Sequence, residues 1–158
     1  MKNLGILTLV LMFFISSCST TQKAAKDKEI AFRGTWTLDQ VVSDQANKVV
    51  ITKLLDHESV ECFEGGTWHL VANNNSGYYK LEGPNCAPNE FDIKWYMEND
   101  GSDTYFWFKR VTDDVKAKNV VSGYKMKVIS ITDTNAHMMH EVPFEGGKLA
   151  LHYYFSKQ

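Results

Sequence analysis

Beyond Glu29, apolar and polar residues alternate with a period of two, and turn residues recur at regular intervals. Eight strands are predicted, over 34–42, 67–72, 78–82, 91–97, 104–110, 123–132, 136–142 and 148–155. The stretch 91–97 alternates most cleanly, with Phe91, Ile93, Trp95 and Met97 against Asp92, Lys94 and Tyr96. In the first strand Trp36, Leu38 and Gln40 share a face, whereas 104–110 is aromatic on both (Tyr105, Trp107; Phe106, Phe108). Asn73 to Gly77, Glu98 to Gly101 and Glu145 to Gly147 read as hairpin turns. The longest connection, 43–65, has room for one helical turn at Lys53 to Glu58, and 112–120 is a polar link. Eight strands with short connections fold as a sandwich or as an up-and-down barrel without exposed edges. No helical pattern is long enough for a βαβ unit, so a parallel sheet is excluded.

The N-terminus follows a different pattern. Met1-Lys2-Asn3 carries one cation, Leu4 to Ile15 is an uninterrupted apolar or small stretch, and Ser16-Ser17-Cys18 follows. A core this short ending at small residues is a secretory signal. Ile15-Ser16-Ser17-Cys18 resembles a bacterial lipobox, in which the cysteine is acylated and becomes the first residue. The alternative is an ordinary signal peptide with a chance cysteine. The lipoprotein reading divides the chain into a signal peptide (1–17), a lipidated Cys18 with a polar, lysine-rich tether (18–32), and a β domain (33–158). It implies a bacterial cell envelope, with the protein held at a membrane, the outer one above all, by its lipid.

An exported domain lies in an oxidising compartment, where Cys62 and Cys86 are expected to be bonded. The competing metal pair lacks a second Cys or a His at ligand spacing. Charge is nearly balanced, 17 Lys+Arg against 19 Asp+Glu, which argues against a nucleic-acid partner. Hydrophobic residues at 44% and aromatics at 13% exclude a disordered chain. No stretch reaches the roughly 18 apolar residues of a membrane span.

Catalytic chemistry finds little support. Ser122 and Ser130 have no nucleophile motif around them, and the carboxylates gather at turns, where solvation explains them. Asp133 fits a turn role through its side chain. His137 and His140, three apart on one strand, point to opposite faces, and His152 can pair with either. Glu141, on the face of His137, is the only carboxylate placed to complete a metal site. The expectation is therefore a non-enzymatic protein with neither metal nor cofactor.

Gly34-Thr35-Trp36 resembles the G-x-W signature of lipocalins, and Thr132-Asp133-Thr134 resembles their T-D-x turn. Cys62-Phe63, Gly66-Thr67-Trp68-His69-Leu70, Gly77-Tyr78-Tyr79, Cys86 and Ile93-Lys94-Trp95 are similar to the lipocalin-like lipoproteins common in Bacteroidota. The resemblance covers about residues 33–156. It implies an eight-stranded antiparallel up-and-down barrel with Gly34 and Trp36 at its closed base.

If Trp36 faces inward, the same phase places Trp68, Leu70, Phe91, Ile93, Trp95, Leu151, Tyr153 and Phe155 inside. Eight strands enclose space for side chains or for one small ligand. Two functions follow. In one, an envelope-anchored barrel binds a small hydrophobic or amphiphilic molecule, with Trp68, Trp95, Tyr105, Trp107, Tyr124, Met126 and Tyr153 as candidate contacts. Tyr105, Trp107, Tyr124 and Met126 would then rim the open end. In the other, the barrel is filled, and its surface or the 43–65 connection docks onto another envelope component.

Overall fold

A computed structural model describes residues 18–45, 49–84, 86–111 and 123–158. The expected signal peptide, the polar link 112–120 and Ser122 lie outside the described residues. A helix, α1 (Cys18–Ala31), precedes β1 (Gly34–Ser43). A one-turn helix, α2 (Val60–Phe63), leads into β2 (Thr67–Val71), β3 (Ser76–Leu81), β4 (Asn89–Asp100) and β5 (Asp103–Arg110). β6 (Tyr124–Ile131), β7 (Asn135–Phe144) and β8 (Gly147–Lys157) complete the chain. Every strand pairs antiparallel with its sequence neighbours and β8 returns to β1, closing an up-and-down barrel. Closure leaves no strand edge exposed.

The expected inward phase holds on most strands: Trp36 and Leu38, Trp68 and Leu70, Ile93, Trp95 and Met97, and Leu149, Leu151, Tyr153 and Phe155 are all buried. β1 departs from it. A register shift between Leu38 and Gln40 turns Gln40 outward and brings Val41 and Ser43 in. One extra residue inverts the alternation beyond it. β4 runs through Glu98, Asn99 and Asp100, so the turn expected there is only Gly101-Ser102. The β6–β7 turn is bonded through Thr132, whose Oγ1 accepts from Asn135 N at 3.0 Å, and not through Asp133.

The end of the barrel that holds the chain's entry is sealed. Phe32 is fully buried against Trp36 (5.1 Å), Phe106 (5.2 Å) and Phe155 (5.8 Å). Trp36 Nε1 donates to Phe32 O at 3.0 Å, and Lys157 Nζ lies 5.2 Å from the Trp36 ring. Gly34 has φ +111°, a conformation that side chains resist. The stretch 18–32, expected to be a polar tether without a core-forming pattern, is largely helical: α1 packs on β4 and buries Ala25 and Glu29, with Lys26 Nζ 2.8 Å from Glu29 Oε1. Three lysines, Lys23, Lys26 and Lys28, made the segment look fully solvated; a small face is enough to dock it.

The opposite end carries the long connections. Within the 44–66 connection, the described chain 49–66 folds back over it, inserting Leu54, Leu55 and Phe63 into the core. Backbone bonds Leu54 N→Glu58 O (2.9 Å) and Leu38 N→Gly66 O (3.0 Å) fix this chain, as does Val41 N→Glu64 Oε1 (2.8 Å). Cys62 and Cys86 are bonded, with Cα atoms 5.6 Å apart. The bond clamps α2 to the segment after β3, beside Gly83, where a Cβ would stand 1.7 Å from Glu61 O.

Candidate functional site in the barrel mouth

The lower and middle barrel is a continuous aromatic packing. Trp68 stacks on Tyr79 (4.8 Å) and meets Phe108 (5.3 Å) and Phe155 (5.8 Å) edge-on, while Phe106 stacks on Phe108 (5.3 Å). Trp95 Nε1 donates to Ser76 O at 2.8 Å. Of the expected ligand contacts, Trp68, Trp95 and Met126 are spent in this packing.

Above it the interior becomes polar. Arg110 ends β5 in the phase of the buried Phe106 and Phe108, and its guanidinium carbon lies 5.7 Å from the Phe91 ring. Phe91 stacks on Tyr79 (5.1 Å), and His57 meets Phe91 edge-on at 4.6 Å. Tyr124, from β6, packs on Phe108 (5.1 Å) and edge-on to His140 (6.3 Å). Its hydroxyl donates to Leu55 O, tying the overlying chain to the barrel wall. Tyr153 completes the group from β8.

Burial governs the charge states here. It pushes the Tyr79 phenol up to about 12, against the opposing pull of Arg110, and raises Tyr124 and Tyr153 as well. It lowers His57 and His140, with Arg110 adding to the effect at His57 and Asp56 opposing it at His140. At neutral pH the mouth therefore holds three phenol O–H groups, two neutral imidazoles and one guanidinium. Among the described residues, Tyr79 Oη, Tyr153 Oη, His57 Nε2 and His140 Nδ1 are buried without a well-aligned hydrogen-bond partner, the Arg110 guanidinium standing beside Tyr79. Buried polar atoms in native proteins normally have partners. Of three further unpartnered atoms, Ser43 Oγ lies at the same end, opposite Leu151, while Trp68 Nε1 belongs to the aromatic packing below and Trp107 Nε1 to the outer face.

Beside this group a cleft of about 500 Å³ runs between the 49–56 chain and β6 to β8. Ile51, Leu55, Val142, Leu149 and Leu151 supply its apolar walls, and Tyr124, His140 and Tyr153 its polar floor. The size falls within the range of small-molecule sites, and so does the combination of apolar walls with a few converging polar groups.

Tyr105 and Trp107 do not rim this mouth. β5 pairs Trp107 with Tyr96 and with Lys125, and the Trp107 and Tyr96 rings stack at 6.2 Å outside the barrel. Tyr105 also faces out, with Lys125 Nζ 3.9 Å above its ring. Both faces of β5 are aromatic, so the choice falls to cross-strand register, which sends Phe106 and Phe108 inward. Met126 sits deep in the core rather than at the rim; Tyr153 is buried in the inward phase, and Tyr124 is half-buried at the mouth.

The outer groove that holds Tyr105 and Trp107 also measures about 500 Å³ and includes Lys125, Lys127, Met139 and Glu141. Its charges are already matched. Lys127 pairs with Asp103 (2.7 Å), Lys125 with Asp100 (3.6 Å) and Glu141 with Lys148 (2.7 Å).

The histidines divide as their spacing requires. His140 points inward, while His137 points out and shares a hydrogen bond with His152, Nε2 to Nδ1 at 2.8 Å, under a stacked Tyr154 (4.4 Å). Among the described residues no three His, Cys, Asp or Glu side chains gather to hold a metal ion.

Arg110, Tyr79, His57 and His140 were not among the site residues expected from sequence. The available signal was phase: once Phe106 and Phe108 face inward, Arg110 must follow, and Tyr79 pairs with the inward Trp68. No protein-family model and no curated protein matches this chain.

Proposed function

We propose that the protein is a lipocalin-like, lipid-anchored component of a bacterial cell envelope that holds a small amphiphilic molecule in the mouth of its barrel, without catalysis. The observation that carries this reading is the coincidence, at one end only, of an apolar cleft with converging buried polar atoms that lack partners. The Cys62–Cys86 bond is consistent with an exported domain. Cys18 begins the helix that packs against the barrel, so an acylated Cys18 would hold the barrel close to its membrane. Since the lower barrel is filled, the ligand occupies the upper end alone.

Two experiments test the reading. Cys18→Ala should move the protein from the membrane fraction to the soluble one; continued membrane partition contradicts the lipid anchor. Titrating the full-length protein with fatty acids, retinoids and porphyrins should change the tryptophan emission through Trp68, which stacks on Tyr79 at the mouth. Emission indifferent to all three would favour a filled barrel that serves as an interaction module.

A further inference from the structure

Arg110 differs from the paired lysines on the outside of the barrel. Lys80, Lys125, Lys127 and Lys148 each meet a carboxylate within 4 Å, on the outer surface. Arg110 is half-buried and, among the described residues, belongs to no ion pair. A guanidinium withdrawn from bulk water without an anion is unfavourable. The carboxylates of the overlying chain, Asp56 and Glu58, make no ion pair with it. Within the influence of Arg110 stand the Tyr79 and Tyr124 phenols, and Tyr153 lies beyond Tyr124. All three are O–H donors at neutral pH, and two of them are fully buried with nothing to donate to. Such a set of donors around one cation calls for an acceptor from outside.

We propose that the mouth binds the carboxylate of an amphiphile. The headgroup lies on the Arg110 guanidinium beside the Tyr79 and Tyr124 hydroxyls, and the apolar part lies in the cleft formed by Ile51, Leu55, Leu149 and Leu151. This rests on the reading of the mouth as a ligand site and assigns the chemical class of the ligand. A guanidinium presents two parallel N–H groups that match the two oxygens of a carboxylate. One cation matches one negative charge, and Asp56 and Glu58 nearby disfavour a second, which selects carboxylate over a phosphate dianion. Tyr124 O–H now serves Leu55 O. A ligand oxygen competes for that proton, so the 49–58 chain is the part that shifts on binding.

Calorimetric titration of the full-length protein with dodecanoate, dodecanol and dodecyl phosphate tests this. Dodecanoate should bind about tenfold or more tighter than dodecanol, the lower end of what a charge-assisted contact supplies. In Arg110→Gln the two should come within about twofold of each other, and Arg110→Lys should retain part of the preference. Unchanged dodecanol binding by Arg110→Gln shows that its cleft is intact. Equal affinity of the native protein for acid and alcohol overturns the headgroup assignment while leaving the ligand site standing. A preference that survives in Arg110→Gln, or tighter binding of dodecyl phosphate than of dodecanoate, overturns it too. Failure of all three to bind overturns the ligand site itself.

Discussion

The two ends of this barrel are built from the same strands and solve opposite problems. At the closed end Phe32, Trp36, Phe106 and Phe155 fill the section, and the Trp36 indole N–H has its acceptor in Phe32 O. At the mouth, two and four residues before Phe155 on the same β8, Tyr153 and Leu151 face a cleft, and phenols and imidazoles are buried without partners among the described residues. A closed aromatic end supplies packing enthalpy and a dry interior. The mouth keeps groups whose desolvation goes uncompensated among the described residues. Polar atoms of this kind cost stability wherever they stay unpaired, so their concentration at one end marks the end that meets something else.

Substitutions should separate the ends by size of effect. Trp36→Ala removes the largest buried ring at the base and should lower stability by about 3–5 kcal/mol, read as a large drop in melting temperature. Arg110→Gln should leave the melt nearly unchanged or raise it; a loss as large as that of Trp36→Ala would erase the distinction between the ends. Replacing Cys62 and Cys86 by serine should cost about 3–4 kcal/mol, because the bond closes a long loop in the unfolded chain. Denaturant unfolding with and without reductant measures this, and superimposable curves would show that the clamp does not stabilise the fold. Gly34→Ala, at φ +111°, should cost about 1–3 kcal/mol through backbone strain alone, measurable by chemical denaturation.

The histidines give the mouth a pH signature. His57 and His140 have pKa values lowered by burial, so in the folded state they bind a proton less readily than in the unfolded chain. Their contribution is intact above the unfolded value of about 6.5 and is lost as pH falls towards the folded values, so stability should rise with pH in that window. Melting temperature should fall between about pH 7.5 and about pH 5, and His140→Gln should flatten part of the fall. His137, also lowered by burial and by His152, adds a share from the outer face that His137→Gln would remove separately. Trp107→Ala should cost only about 1 kcal/mol for the lost stack on Tyr96, with dodecanoate affinity unchanged. Weakened binding in that variant would shift the site to the outer groove.

The period-two alternation and the hairpin turns carried the strand order and the barrel, because each strand has one face that water must not reach. The Cys62–Cys86 bond was legible from the expected export of the domain. Strand β5 was not. With Tyr105, Phe106, Trp107 and Phe108 in a row, hydrophobicity does not distinguish the faces, and only pairing with β4 and β6 sends Phe106 and Phe108 inward. That single ambiguity hid Arg110, and with it the polar character of the mouth. The shift at Leu38 and Gln40 was invisible for a related reason: an extra residue in a strand leaves no compositional trace when both neighbours are ordinary strand formers. Within the tether, Ala25 and Glu29 are too few and too polar to register as a buried face.

The central claim is that the mouth is the binding end. Hydrogen–deuterium exchange of the full-length protein with and without dodecanoate tests it most directly, since it reports the opening of backbone amides region by region. The account predicts altered exchange in the 49–58 chain and in the mouth halves of β7 and β8, around His140 and Leu151, with the amides around Trp36 and Trp95 unchanged. Altered exchange confined to the closed end or to the outer strands at Tyr105 and Lys125, with 49–58 unaffected, would contradict it.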